Sequence, residues 1–348
     1  MKHVELLQTA RQALALCFQD TEVAYVEAPC PNGIDLFATL TLRDGFSRKV
    51  VIEAKTSGQP RSVREACFQL QDHLKAQPEA YGVVLAPYIT SASAEICRHA
   101  GFGYVDLAGN CRLSAGAIYI ERRGQPNPFI RKAQLYNLYK PVASRVLRVL
   151  LHHPPRTWKL KELAKEAAVS LGHAYNVKQA LLDREWIAGE TKSIRLTKPE
   201  PVLAEWASRY NFRNNEVLEY YCAEEAPAIE RALAEIAGAS EPKIAMTGFS
   251  AAARMAPVVK HQRVTAYVSG NMQEIAKKLN LKKVTSGANV MLLKPYDDGV
   301  FYGLQRVAGL PIVSPVQAYL DLKGYRGRGE EAADELLEKV LRPLWQKQ

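Results

Sequence analysis

The chain has 348 residues, with 46 Lys and Arg against 36 Asp and Glu, a formal net charge of +10, and 47% apolar residues. At roughly 100–200 residues per domain, this length predicts two or three domains, and the apolar content excludes a largely disordered chain. No apolar run approaches the roughly 20 residues of a membrane span, and the opening Met1-Lys2-His3-Val4-Glu5 lacks the basic-then-apolar pattern of a secretory signal, so a cytoplasmic protein without a membrane partner is expected.

Residues 1–125 read as α/β. Val4 to Phe18 carries apolar residues at helical spacing, Gly33–Leu42 and Lys49–Lys55 alternate as strands, and Ser62–Lys75 places Val63, Cys67, Leu70 and Leu74 on one helical face. A buried strand over Tyr81–Ala86 and a helix capped by Thr90 or Ser91 and closed by Gly101 follow. Further strands are expected at Gly103–Asp106, Cys111–Ser114 and Ala117–Glu121. The pattern predicts a mixed sheet with helices on its faces. The six cysteines, Cys17, Cys30, Cys67, Cys97, Cys111 and Cys222, form no C-x-x-C pair, which predicts buried free thiols and no disulfide framework or zinc site.

The turn-rich Arg122-Arg123-Gly124-Gln125-Pro126-Asn127-Pro128 marks a first domain boundary, and 131–210 changes grammar. Val142–Leu151 is a short amphipathic helix stopped by Pro154-Pro155, Leu160–Ala167 a second, and Leu171–Arg184 a third after the turn Ala168-Val169-Ser170. Trp186–Leu196 reads as strand, turn, strand. Three helices followed by a β-hairpin predict a winged helix-turn-helix. Between Arg131 and Asn215, 16 Lys and Arg face 7 Asp and Glu, a net of +9, while the rest of the chain nets +1. That is the electrostatic footprint of one module that binds double-stranded DNA, which needs no cofactor.

On the third helix Ala174, Val177, Ala180 and Leu181 form the inward stripe, leaving Gly172, His173, Tyr175, Asn176, Lys178 and Gln179 outward, chiefly near the N-terminal half that touches base edges. Asn176 and Gln179 are of the types that pair bidentately with adenine. Lys192 and Arg195 in the wing, with Arg145, Arg148, Arg156, Lys159 and Lys161, are expected to neutralise phosphates. His152-His153 has no partner ligands at metal spacing, and the helix C-terminus there favours protonated histidine.

A second boundary at 211–215 opens a C-terminal α/β domain, 216–348. It shows a helix over Ala226–Ile236, a strand Lys243–Met246, the loop Thr247-Gly248-Phe249-Ser250 opening a small-residue helix, and a strand Val264–Ser269. A helix Met272–Lys278, strands at Asn289–Leu293 and Gly299–Tyr302, and two final helices complete it. The Gly-Ser loop resembles the start of a nucleotidyltransferase fold, but the next strand has no carboxylate to hold Mg²⁺, so such a domain would be catalytically silent.

The most reactive-looking group is in the first domain. Glu53 and Lys55 are two residues apart on one strand and so share a face. If the hairpin turns at Asp44-Gly45, opposed residues sum to about 89 and Asp35 lies across from Ala54. Two carboxylates and an ammonium in one cluster can hold Mg²⁺ through Asp35 and Glu53, polarise a phosphodiester and place water beside Lys55. Gly33-Ile34-Asp35, 17 residues, then Glu53-Ala54-Lys55 resembles the PD-(D/E)XK nuclease fold, and Gln69 or Gln71 on the following helix resembles that family's auxiliary glutamine. The competing reading is a solvated Glu–Lys pair on a surface strand.

Asp106-Leu107-Ala108-Gly109-Asn110 resembles a signature of the AbiEi-type antitoxin regulators of type IV toxin–antitoxin systems, in the subgroup with a nuclease-like N-terminal domain, although Asx-turn chemistry alone also accounts for it. The resemblance continues in Pro315-Val316-Gln317-Ala318-Tyr319-Leu320-Asp321-Leu322 and Arg328-Gly329-Glu330-Glu331-Ala332. It implies a DNA-binding repressor of its own operon that opposes a toxin encoded by a neighbouring gene. A homodimer is expected, because helix-turn-helix repressors match two half-sites. The alternative is a Mg²⁺-dependent endonuclease, with Asp35, Glu53, Lys55 and Gln69 as its catalytic group.

Overall fold

The computed structural model describes residues 6, 9, 14, 23–28 (backbone only), 34–42, 44–128, 138–189, 193–238, 241–256, 262–325 and 328–346. They fold as two compact units, 1–136 with 180–185, and 137–179 with 186–348. The middle and last stretches read from the sequence thus lie largely in one unit. Most of the helix expected over Val4–Phe18 lies outside the described residues, but Leu6 and Leu14 are helical and buried.

The first unit is built on a seven-stranded sheet whose spatial order follows the chain: β1 (Val23–Ala28), β2 (Leu36–Leu42), β3 (Ser47–Ala54), β4 (Tyr81–Ala86), β5 (Gly103–Asp106), β6 (Cys111–Ala115) and β7 (Ile118–Arg122). β1 to β3 are antiparallel, β3–β4 and β4–β5 are parallel, and β5 to β7 are antiparallel again. Each parallel step needs a crossover helix, supplied by α1 (Pro60–Ala76) and α2 (Ser91–His99). Strand alternation divides the core in two. Leu36, Ala38, Leu40, Val50, Ile52 and Ala54 pack on one face with Leu6 and Leu14, and Phe37 and Val51 pack on the other with Val63, Cys67, Leu70 and Cys97. All six residues of β4 are buried, as a strand covered on both faces requires.

The β2–β3 register differs by one residue from the expected pairing, since Leu36 faces Ile52. The chain turns through Leu42–Phe46, where Gly45 takes φ +92° and Asp44 Oδ1 accepts the Phe46 N–H at 2.9 Å. This loop is one residue asymmetric about the Asp44-Gly45 midpoint, which shifts the pairing.

The second unit begins with α3 (Pro141–His152), β8 (Trp158–Lys159), α4 (Leu160–Glu166), α5 (Leu171–Asp183), β9 (Ile187–Ala188) and β10 (Ser193–Leu196). The strands form a small sheet in the order β8-β10-β9. Between α4 and α5, Ala168 adopts φ +50° and Ser170 Oγ accepts the His173 N–H at 3.2 Å, capping α5. Leu163, Ala164, Ala167, Ala174, Val177, Ala180 and Leu181 are buried, as their spacing predicts.

After α6 (Pro199–Arg209) comes a second seven-stranded sheet, made of β11 (Glu216–Tyr221), β12 (Ile244–Met246), β13 (Val264–Val268), β14 (Lys282–Lys283), β15 (Val290–Lys294), β16 (Gln305–Val307) and β17 (Leu310–Ile312). Their spatial order is β14-β11-β15-β13-β12-β17-β16. Its helices are α7 (Ala226–Ile236), α8 (Gly248–Met255), α9 (Met272–Lys278), α10 (Pro315–Lys323) and α11 (Arg328–Leu336), followed by a π-helical turn and α12 (Arg342–Gln346). The strand expected at Gly299–Tyr302 is instead a 3-10 turn, Asp298–Phe301. Asp297 Oδ1 accepts the Gly299 N–H at 2.8 Å, and that local bond competes with strand pairing.

The Asp106–Asn110 stretch is a turn held by one buried carboxylate. Asp106 Oδ1 accepts the N–H groups of Ala108 (3.0 Å) and Asn110 (2.8 Å), and Oδ2 accepts that of Ile89 (3.1 Å) and the Asn110 side-chain amide (2.9 Å). Gly109 closes the turn at φ +96°. Asp106→Ala strips these donors of their acceptor and is expected to cost about 2–5 kcal/mol, because orphaned buried donors bear the full desolvation penalty. Urea unfolding followed by circular dichroism measures it.

Candidate functional site

Asp35, Glu53, Lys55 and Gln69 do come together. Asp35 stands one residue before β2, and its Oδ2 accepts the N–H of Ala54 at 2.8 Å, between the acid and the lysine. Glu53 lies on the β3 face turned toward α1 and is buried. Lys55 Nζ donates to Glu53 Oε1 at 3.1 Å and to Gln69 Oε1 on α1. Sequence reading missed His73, whose Nε2 lies 4.0 Å from Glu53 Oε2. The signal was present, since residue 73 follows Gln69 by one helical turn and shares its face.

Burial pushes the Glu53 carboxyl above its ordinary value and the Asp35 charge pushes the same way, outweighing Lys55 and His73. Glu53 Oε2 has no hydrogen-bond partner among the described residues. The donor set suits a hard cation, since Mg²⁺ is commonly held by one or two carboxylates with water and substrate phosphate completing its shell. Among the described residues no three His, Cys, Asp or Glu side chains converge on a metal position. The candidate ligands therefore remain Asp35 and Glu53.

The basic block divides into interior and surface. Arg148 is 3% exposed, with its guanidinium 5.0 Å above the Trp206 ring, so it cannot reach a phosphate. Arg145 is forked onto Asp297, with three N–H···O contacts of 2.9 to 3.1 Å. Lys178, expected outward, is 3% exposed. Its place four residues after Ala174 and three before Leu181 puts it on the buried stripe. Lys192 lies outside the described residues.

Of the cations expected to neutralise phosphates, Arg156, Lys159, Lys161 and Arg195 are exposed. Lys159 pairs with Ser193, two residues from Arg195 on β10, so both cations project from the solvent face of the small sheet. Arg156 lies 3.7 Å from the Trp158 ring centre. On α5, His173, Tyr175 and Asn176 are exposed and Gln179 is half-buried. The His173 Nδ1 is 2.8 Å from the capping Ser170 hydroxyl, which draws that ring into the cap.

The Thr247-Gly248 turn is closed from within. Asp321 on α10 is 2% exposed, and its carboxylate accepts from Thr247 Oγ1, Tyr210 OH (2.7 Å), Tyr267 OH (2.9 Å) and Gln317 Nε2 (2.9 Å). The carboxylate at this turn thus comes from a C-terminal helix and is saturated by protein donors.

Residues 195–342 match the family model of the AbiEi antitoxin, a transcriptional regulator of type IV toxin–antitoxin systems. Curated proteins give no match. Two solved structures are similar, a repair endonuclease from Pyrococcus abyssi and EndoMS in apo form, each at 17% identity over 28% of this chain with a TM-score of 0.21. The similar stretch spans 46% and 44% of those two chains, less than half of either. No helix among the described residues is long and apolar enough to cross a membrane.

His152 ends α3, and there burial outweighs the helix C-terminus. Its ring packs edge-on against His153 (4.7 Å) and Tyr302 (5.7 Å), with burial first and the neighbouring His153 second holding its pKa below the ordinary 6.5. The folded state thus binds this proton less readily than the unfolded chain. Stability from this group is complete above pH 6.5 and is lost as pH falls from there through the lower folded value. Melting temperature should drop between about pH 7 and about pH 5, and His152→Leu should flatten that dependence.

Proposed function

We propose that the chain is a sequence-specific DNA-binding regulator of the AbiEi antitoxin kind, acting as a homodimer that represses its own operon and opposes a toxin encoded alongside it. The family match over residues 195–342 carries this reading. The helix-turn-helix and its wing, residues 141–196, supply the DNA contact. Asn176 and Gln179 on α5 read adenine edges, while Lys159, Lys161 and Arg195 neutralise phosphates and set register. Arg148 and Lys178 are withdrawn from that role by burial, and Arg145 by its ion pair with Asp297.

A gel shift on the DNA upstream of the chain's own gene tests it. Asn176→Ala with Gln179→Ala should weaken specific binding by about tenfold or more, since each bidentate base pair is worth about 1–3 kcal/mol. Removing Lys159, Lys161 or Arg195 should lower affinity on all sequences and reduce the salt slope by about one each. Equal affinity for random DNA would count against the reading.

Glu53 Oε2, without a hydrogen-bond partner among the described residues and close to Lys55, favours a second reading, a DNA endonuclease in a PD-(D/E)XK-like domain. Asp35 and Glu53 would hold Mg²⁺, which when bound polarises the phosphodiester. Lys55 orients the attacking water, and Gln69 orients Lys55. Plasmid DNA incubated with Mg²⁺ or Mn²⁺ decides it, since nicking present in the intact chain and absent in Lys55→Ala is expected from a nuclease alone.

A further inference from the structure

The reading end of α5 carries an apolar pair that packing inside the chain leaves about half exposed. Leu171 is 46% exposed and Tyr175 50% exposed, one helical turn apart and so on the same side of the helix. Scattered exposed hydrophobics are ordinary. Here the inward stripe of α5 is filled by Ala174, Val177 and Leu181, so the pair stands outside that stripe and keeps about half of its surface in solvent. Between them is Gly172, where an added Cβ would meet only the Ser170 hydroxyl, at 4.0 Å. Glycine in a helix costs about 1 kcal/mol relative to alanine, and no close neighbour requires it here. It lowers the relief of the first turn and lets a broad partner come close to the backbone.

The surroundings select the partner. Asn176 is exposed next to Tyr175, and the exposed cations Lys159, Lys161 and Arg195 belong to the same helix-turn-helix and wing, so the charge is complementary to phosphate. On the floor of the major groove, the one apolar group that base pairs present is the thymine C5-methyl. We infer that Leu171 and Tyr175 contact thymine methyl groups, so that the half-site read by α5 contains A·T pairs, with Asn176 on an adenine edge. This rests on the reading of α5 as the base-contacting helix and adds to it a base composition and a specificity residue, Leu171.

The test begins by selecting duplexes bound by the full-length chain from a random pool. Enriched sites should carry A·T pairs in each half-site. The best duplex is then remade with deoxyuridine for thymine, one position at a time, which removes only the methyl group. Each contacted methyl should contribute about three- to fivefold in affinity, by the scale of one buried methylene. Leu171→Ala and Tyr175→Ala should weaken binding to the thymine duplex by a similar factor and lose the response to deoxyuridine. The unaltered chain responds to deoxyuridine without any variant having to fold. If a site is enriched but deoxyuridine leaves affinity unchanged at every position, the inference falls and the regulator reading stands. If no site is enriched over random DNA, the regulator reading itself falls, and the inference with it. If Leu171→Ala leaves DNA affinity intact and changes the solution mass, the pair is a protein contact and the inference is overturned.

Discussion

The buried Asp321 carboxylate is the contact on which the family-matched stretch, residues 195–342, turns. Removing a carboxylate from water costs several kcal/mol unless hydrogen bonds replace the lost hydration. Here Tyr210 after α6, Tyr267 on β13, Thr247 at the start of α8 and Gln317 on α10 all donate to it. Burial still holds its pKa above the ordinary value, with those four donors pulling the other way. Because each donor comes from a different element, the carboxylate fixes where those elements meet. A hydrophobic contact would tolerate sliding that this arrangement does not. The cluster also occupies the turn that would otherwise resemble a phosphate-binding loop, which leaves Thr247 committed to the interior.

A second constraint is how the positive charge is spent. The helices that form the basic block must also pack, and on α3 Arg148 is buried among core residues while the partly exposed Arg145 is tied to a buried carboxylate. Arg145 is matched by Asp297, and Arg148 is spread over the Trp206 ring, a favourable use of a weakly hydrated planar cation. The cations left exposed include Lys161 and Lys165 on α4, Lys159 and Arg195 on the outer face of the β8-β10 sheet, and Lys140, Lys198, Arg209 and Arg213 outside both. Charge counted along a sequence therefore overstates the charge a polyanion would meet.

The strands of the first sheet from β2 onward, and the first three helices of the middle stretch, were legible because each carries an unbroken period bounded by proline, glycine or a capping residue; the fourth helix of that stretch, α6, was not. The edge strands β1, β8, β14 and β16, the mixed-polarity β11 and the three-residue inner strand β17 were not. A short strand with one neighbour needs little apolar alternation, and its pairing comes from a partner distant in sequence. Lys178 was misplaced for a different reason. Its spacing from Ala174 and Leu181 marks the buried stripe, but its side-chain type outweighed its position in the reading.

The candidate cluster was legible as a set. Asp35, Glu53 and Lys55 could be grouped from strand alternation and one hairpin, and a one-residue error in register did not separate them. The sequence by itself determined which local elements form and which faces they bury, because periodicity and capping act within a few residues. Tertiary structure alone decided which cations reach solvent and that Asp321 closes the Thr247 turn. Those outcomes depend on desolvation and on partners brought from far along the chain, and no local pattern encodes either.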